Sequence, residues 1–377
     1  MSGEISNSGN SSAKTGKLVY VEDARELQFR EYPVPSPKAG AVVTEVVQTN
    51  VCGSDIHVWR GDHPLEDCVL GHEAVCRISE LGKEVDTDSA GQPVERGDLV
   101  APVYFQTCQH CEFCRRGEFY RCANDYEFAG QAPDVWPHFH ATWGTHYYIH
   151  PTQNFYKLPP ELEETPKIGA AANCALSQVI FGLKKVGVEY NDTVVIQGAG
   201  GLGLYATAFA SQQGANTIVV EGVQTRLERA REFGADHVVD MNEYETPEAR
   251  ATRVRDLTDG TGADVVVEVA GVPEAFNEGI KFLRTAGRYL VMGNVRPGHS
   301  IKFDPGALVR KSVDVTSVVE YDPWTLYDAL AFLAETIDMY PHESLIDAQY
   351  DLQNVTTALR DSEKRTVTRA TLSTQDT

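Results

Sequence analysis

The sequence predicts an α/β protein in which a β-rich domain precedes a doubly wound parallel sheet, and three observations predict it. The chain has 377 residues, more than one hydrophobic core usually serves, so two or three domains are expected. Short β-type runs broken by glycine and proline dominate up to about residue 165, with little helical periodicity. From residue 166 to about 315, continuous apolar runs alternate with helical segments, the mark of parallel strands covered on both faces.

Taken in order, residues 1–16 (MSGEISNSGNSSAKTG) are rich in Ser, Gly and Asn and bury too little apolar area to offset their chain entropy, so a disordered tail is expected. Residues 17–165 form the β-rich domain, with strands expected at 41–49, 98–104 and 146–150 in an irregular, mostly antiparallel barrel. Residues 166–315 form the parallel-sheet domain, with strands at 193–197, 217–221, 263–269 and 288–292 and helices at 203–213 and 226–233. Residues 316–377 begin with a helix-like stretch at 324–336 and end in the strand-like TVTRATL. They are expected to return to the first domain and make it discontinuous. No internal repeat is visible.

Composition narrows the function. The chain is 42% hydrophobic, 9% aromatic and 23% charged, a globular mixture. Lys plus Arg number 33 against 54 Asp plus Glu, a formal charge of −21, so nucleic acid and anionic membranes are excluded as partners. No run approaches the roughly 20 apolar residues of a spanning helix, and the amino terminus lacks the apolar segment of a secretory signal, so a cytoplasmic protein is expected. With 12 lysines against 21 arginines, the acidity also fits a salt-adapted or GC-rich source. Eight cysteines are too few for a disulfide scaffold, and four of them fall within fifteen positions, a pattern that points to metal.

Those four are Cys108, Cys111, Cys114 and Cys122, spaced C-x2-C-x2-C-x7-C in a lobe at 105–125. Two-residue gaps let thiolates converge from a tight loop, and four of them close a tetrahedral zinc shell with no position left for substrate, so a structural zinc is expected. An iron–sulfur cluster also takes four thiolates, but the loop lacks the proline and spacing of ferredoxin runs.

In TVVIQGAGGLGLYATAF a predicted strand runs into Gly198, Gly200, Gly201, Leu202 and Gly203, then into a helix. Gly198, Gly200 and Gly203 stand at G-x-G-x-x-G spacing. Glycine permits the tight turn and close backbone approach, and the helix amino end offers free N–H groups to a pyrophosphate. Glu221 ends the next strand, 23 positions after Gly198, where an acid accepts from both adenosine ribose hydroxyls and repels a 2′-phosphate. NAD is therefore favoured over NADP, although Arg226 stands close enough to meet a phosphate.

A third group is split along the chain: Cys52, Ser54, Asp55 and His57 in NVCGSDIH, His72 and Glu73 in LGHEAV, and Cys174 in AANCALSQV. A zinc on two thiolates and one imidazole keeps an open position that polarises a hydroxyl or carbonyl oxygen.

With CGSDIH, GHE, the four-cysteine lobe, CALS and GAGGLG in that order, the chain resembles the zinc-dependent medium-chain alcohol dehydrogenases over nearly its whole length after the tail. The resemblance implies a GroES-like catalytic domain joined to a Rossmann domain, with the active site in the cleft between them. It implies that Cys52, His72 and Cys174 hold a catalytic zinc and that Glu73 lies behind the metal as an exchangeable ligand. Asp55 would fix the His72 tautomer. Ser54 would bond the substrate oxygen and start a proton relay through the ribose to His57. Two zincs per chain and NAD are the implied cofactors, and reversible oxidation of an alcohol to an aldehyde or ketone is the implied reaction, hydride passing to the nicotinamide.

Departures from the family sharpen the expectation. Cys76 replaces the glycine of GHE-x-x-G, and Gly53 stands where animal enzymes carry a pyrophosphate-binding arginine, so phosphate contacts must come from elsewhere. Polyol and threonine dehydrogenase relatives carry Glu where Cys174 and His146 stand, so simpler alcohols are favoured here. Cys68 and Cys76 read as packed thiols. His138, His140, His146 and His150 read as structural, because alternate strand positions face opposite sides. Trp59, shortly after the relay histidine, is assigned to the substrate pocket of a bulky, secondary or cyclic alcohol. The competing readings are a polyol, sugar or amino-alcohol dehydrogenase and a non-enzymatic dinucleotide sensor. A homodimer or homotetramer is expected by analogy with the family.

Overall fold

The computed structural model describes residues 14–374 apart from 64, 126, 128–129 and 294–297. Residues 1–13 of the expected tail lie outside the described residues, and its last two, Thr15 and Gly16, open the first strand instead.

β1 (Thr15–Asp23) and β2 (Glu26–Pro33) form an antiparallel hairpin. β3 (Val42–Asn50), rich in β-branched residues, is the spine of the first domain. α1 (Gly53–Trp59) follows it, and the chain returns in β4 (Glu73–Leu81), antiparallel to β3 with Asn50 opposite Glu73. Two register shifts along this pair bend the sheet toward closure. β5 (Leu99–Pro102) extends the sheet, α2 (Glu112–Arg115) sits in the cysteine lobe, β6 (His146–Ile149) pairs with β3, and β7 (Phe155–Lys157) pairs with β5.

α3 (Pro160–Glu163) and α4 (Pro166–Ala170) lead through a π-helical turn at Ala172–Leu176 into α5 (Ser177–Val186). α4 packs on β3 and β4 and also meets the π-helical turn. One apolar core runs from barrel residues Val75, Leu99 and Phe105 through Ala172 and Leu176 to Leu204 and Val219 of the second domain.

The second domain begins with β8 (Thr193–Gln197), α6 (Gly201–Gln212), β9 (Asn216–Glu221), α7 (Gln224–Glu232) and β10 (His237–Asp240). α8 (Pro247–Leu257), β11 (Ala263–Glu268), α9 (Glu274–Phe282), β12 (Leu283–Val291), α10 (Gly306–Lys311) and β13 (Asp314–Ser317) complete it. Its six strands are all parallel, in the order β10-β9-β8-β11-β12-β13. Order therefore reverses between β8 and β11, and ligands bind outside the carboxyl ends of strands at such a point. Val194, Val195 and Ile196 of β8 and Val265, Val266 and Val267 of β11 are all buried, the two-faced burial that the apolar runs predict.

α11 (Thr325–Thr336) packs on α5. β14 (Ala348–Asp351), α12 (Val355–Glu363) and β15 (Ala370–Ser373) then rejoin the barrel, where β15 lies antiparallel to β3 and parallel to β14. Residues 348–373 thus add two strands to the sheet that β3 begins. Among the described residues no helix is long and apolar enough to cross a membrane.

Candidate active site

Pairing of β3 with β4 brings the first two parts of the split group together. With Asn50 opposite Glu73, the residues just beyond them, Cys52 and His72, leave the same end of the sheet. Cys52 caps the start of α1, and its amide donates to Asp55 Oδ2 at 2.8 Å. The other carboxylate oxygen, Oδ1, lies 3.3 Å from His72 Nδ1, which leaves Nε2 as the ring nitrogen free to meet a metal. Cys174 arrives from the opposite side on the π-helical turn, its Sγ 4.0 Å from that of Cys52. One ligand atom each from Cys52, His72, Glu73 and Cys174 falls within 4.8 Å of all the others.

The local electrostatics fit a cation. The thiol of Cys52 is drawn well below its usual range, first by the Cys174 thiol hydrogen-bonded to it and then, against burial, by His72. The same contact, reinforced by burial, holds Cys174 well above its usual range. Burial would lower His72, but Asp55 outweighs it and keeps the imidazole protonated well above its ordinary value. Glu73 is fully buried, and burial pushes its carboxyl up to about 7 against the pull of Arg369. Its Oε2 accepts from Arg369, whereas its Oε1 is buried without a hydrogen-bond partner. An orphaned buried oxygen beside two sulfurs and an imidazole suits an ion there.

Ser54 and His57 are half-buried on α1 and lie three residues apart, hence on one face of it. Trp59 is on the other face with Asp55 and Val58. It is 1% exposed and packs among Val19, Val21, Trp143 and Leu352 in the barrel core, so its assignment to a substrate pocket is corrected. The aromatic group beside the candidate ligands is Tyr104, whose ring stands edge-on to His72 at 5.2 Å between centroids and leads on to Phe105 and Tyr321.

The four lobe cysteines also converge to within 4.8 Å of one another. Backbone amides of Cys108 and Cys111 donate to the sulfurs of Cys122 and Cys108, both at 3.3 Å, and that of Cys114 donates to Cys111 at 3.5 Å. Among the described residues these four alone make up the cluster, as a closed shell requires. Cys68 and Cys76 are packed thiols, each pushed up to about 12 by burial. His138 stacks on Tyr32 and His140 bonds the Val135 carbonyl, while burial lowers His146 and His150 to about 4. All four are part of the barrel packing.

At the reversal point the glycine loop is shaped by contact. Gly198 has φ +100°, and a Cβ there would sit 3.0 Å from Ala270 Cα; a Cβ on Gly203 would sit 1.9 Å from the Gly198 carbonyl oxygen. On Gly200 a Cβ would meet nothing within 4 Å, so this amino end of α6 opens onto free space. Glu221 accepts from the amides of Ala199, Gly222 and Val223 at 2.9, 2.7 and 3.1 Å and lies 3.7 Å from Arg226, tying the loop to its strand. Arg369, which the sequence did not single out, holds Glu73 and brings Nη2 to 3.4 Å from where a Gly201 Cβ would be. It thus spans from the Cys52, His72, Glu73 and Cys174 cluster to the start of α6.

Residues 38–160 match the alcohol dehydrogenase GroES-like domain and residues 201–335 the zinc-binding dehydrogenase domain. The 5-exo-hydroxycamphor dehydrogenase of Pseudomonas putida is 33% identical over 352 residues, 90% of this chain and 93% of its own. The chain belongs to the zinc-dependent medium-chain alcohol dehydrogenases. A sorbitol dehydrogenase of Halalkalibacterium halodurans is 30% identical over 310 residues, 81% of this dehydrogenase and 84% of that one. An alcohol dehydrogenase structure from Thermotoga maritima superposes with a TM-score of 0.90 at 27% identity, covering 96% of this dehydrogenase and 99% of that chain. This dehydrogenase is accordingly a zinc-dependent, NAD(P)-binding alcohol oxidoreductase with GroES-like and Rossmann domains.

Proposed function

We propose that this dehydrogenase oxidises a secondary or cyclic alcohol to its ketone with NAD, using two zincs per chain. The observation that carries the reading is the convergence of Cys52, His72 and Cys174 on one point beside the half-buried Tyr104 ring. The relative named for hydroxycamphor supports a bulky ring as substrate. A zinc held by Cys52, His72 and Cys174 would supply Lewis acidity toward the hydroxyl oxygen, and NAD would supply the hydride acceptor.

This chain's own residues do the rest. Asp55 holds the His72 ring with Nε2 presented inward. Ser54 accepts the substrate hydroxyl proton as its own hydroxyl proton leaves toward His57, which lies on the same face of α1 and passes a proton on toward solvent. Glu73 waits behind the site with one free oxygen. Tyr104 offers an apolar face that orients the substrate and excludes water. Arg369 and the amino end of α6 bind the pyrophosphate, and Glu221 accepts from the ribose, favouring NAD. The four cysteines of the lobe hold the second zinc.

We further assign a homodimer or homotetramer, built through the edge strand β13. Its Val315 is 43% exposed, and Val309 and Val319 close by are 77% and 62% exposed.

A panel of primary, secondary and cyclic alcohols, polyols and threonine, followed by reduced-nicotinamide absorbance with NAD and with NADP, tests the substrate and cofactor. Cyclic secondary alcohols with NAD should turn over fastest. Turnover confined to polyols or threonine would replace the reading, and binding without turnover on any substrate would favour a sensor.

A further inference from the structure

Residues 318–324, between β13 and α11, touch three parts of the molecule at once. At the π-helical turn the Tyr321 hydroxyl donates to the Asn173 carbonyl, and at the start of α5 just beyond it the Val318 carbonyl accepts from Gln178 Nε2 at 3.1 Å. At the cysteine lobe, Asp322 Oδ1 accepts from the Tyr120 amide at 3.3 Å, and Trp324 stands edge-on to Phe119 at 5.3 Å. Beside His72, the Tyr321 ring stands edge-on to Tyr104 and Phe105 at 5.9 and 5.3 Å.

Tyr321 is fully buried, so its hydroxyl needs a partner, and the turn has a carbonyl to offer. In an α-helix the Ser177 amide would bond the carbonyl four residues back, that of Asn173. Here it bonds those of Ala172 and Cys174. The wider turn passes over the Asn173 carbonyl, and Tyr321 takes it up. Two further bonds brace the same turn: Ser177 Oγ to the Ala172 carbonyl at 2.7 Å and Asn173 Nδ2 to the Pro102 carbonyl at 2.5 Å. Cys174 is the next residue. Relaxing the turn to α geometry would rotate the chain on one side against the other by about 100°, the angle of one residue, and carry the sulfur away from Cys52.

We propose that Tyr321 is a positioning residue for Cys174, holding the π-helical turn by its Asn173 carbonyl while Asp322 and Trp324 moor the segment to the cysteine lobe. This rests on the reading of Cys174 as a metal ligand. Tyr321 touches neither substrate nor the reacting atoms; it acts through the direction of the Cys174 sulfur.

Tyr321→Phe in the zinc-loaded enzyme keeps the ring and removes only the hydroxyl. It should speed release of one of the two metals to a chelator about tenfold and lower kcat by a similar factor, the scale for losing an outer partner of a metal ligand, with KM for NAD unchanged. Tyr147→Phe, which removes a buried phenol hydroxyl bonded to Gln153 at 2.5 Å on β6, is the control for a merely structural effect and should release both metals at the wild-type rate. Wild-type release from Tyr321→Phe, or equal acceleration in Tyr147→Phe, overturns the proposal. Cys174→Ala separates this failure from failure of the active-site reading. If that variant keeps both metals, the ligand assignment itself falls; if it keeps one while Tyr321→Phe behaves as wild type, only the positioning role falls.

Discussion

Gly200 and Gly203 are three residues apart, one just before α6 and one in its first turn, yet the structure gives them opposite sensitivities. A Cβ on Gly203 would lie 1.9 Å from the Gly198 carbonyl oxygen, more than 1 Å inside any tolerated contact, so loop and helix must part. Gly203→Ala should cost about 3 kcal/mol of stability, the upper range for overpacking. Gly200 has φ −77°, which alanine adopts freely, and its Cβ meets nothing, so Gly200→Ala should leave the melting temperature unchanged. That methyl would, however, fill the space where a pyrophosphate approaches the amino end of α6. Displacing a phosphate oxygen by about 1 Å forfeits a charge-assisted hydrogen bond of about 2 kcal/mol, or roughly thirtyfold in Kd. Titration of NADH by fluorescence and a thermal melt read the two quantities separately. Wild-type NADH affinity in Gly200→Ala would refute the placement of the dinucleotide on this loop.

Three more outcomes are expected. Arg369→Ala removes the guanidinium bonded to the buried Glu73, whose carboxyl should then take up a proton, so it should lower stability by about 1 to 3 kcal/mol in denaturant melts and weaken NADH binding as well; an effect on only one of the two would break the proposed link between pocket and cradle. Asp55→Asn should lower affinity for the metal of the Cys52 site about 10 to 100-fold in chelator competition while leaving the lobe metal in place. His146, His150 and His342 are held neutral by burial down to about 4 against 6.5 unfolded, so the unfolded chain binds more protons below pH 6.5. Their contribution to stability is complete above that pH and is lost as pH falls toward 4, so the melting temperature should decline through this window, and His342→Phe should flatten the decline.

What the sequence made legible follows from distance along the chain. The cysteine lobe and the glycine loop are local: ligand spacing within fifteen positions and a strand, turn and helix in series carry their own geometry. Cys52, His72 and Cys174 have no such spacing, and it was their company in a family pattern, not any periodicity, that joined them. Arg369 was invisible because its partner Glu73 lies 296 positions away and TVTRATL reads only as a strand. The π-helical turn leaves no mark in ANCALS, since one wider turn needs no special residue type. Nearness of Trp59 to His57 in sequence is not nearness in space. On α1 the period of 3.6 turns Asp55, Val58 and Trp59 inward and leaves Ser54 and His57 outside. α8 has a weak signature because PEARATRVRDL is rich in charge and its apolar stripe of Ala251 and Val254 is thin.

Metal analysis of the purified chain bears most directly on the whole account. Two zincs per chain are expected, falling to one in Cys174→Ala, which should lose turnover yet bind NADH as before. A wild-type chain with a single zinc that still turns over, or a Cys174→Ala variant that keeps both metals and its activity, would contradict it.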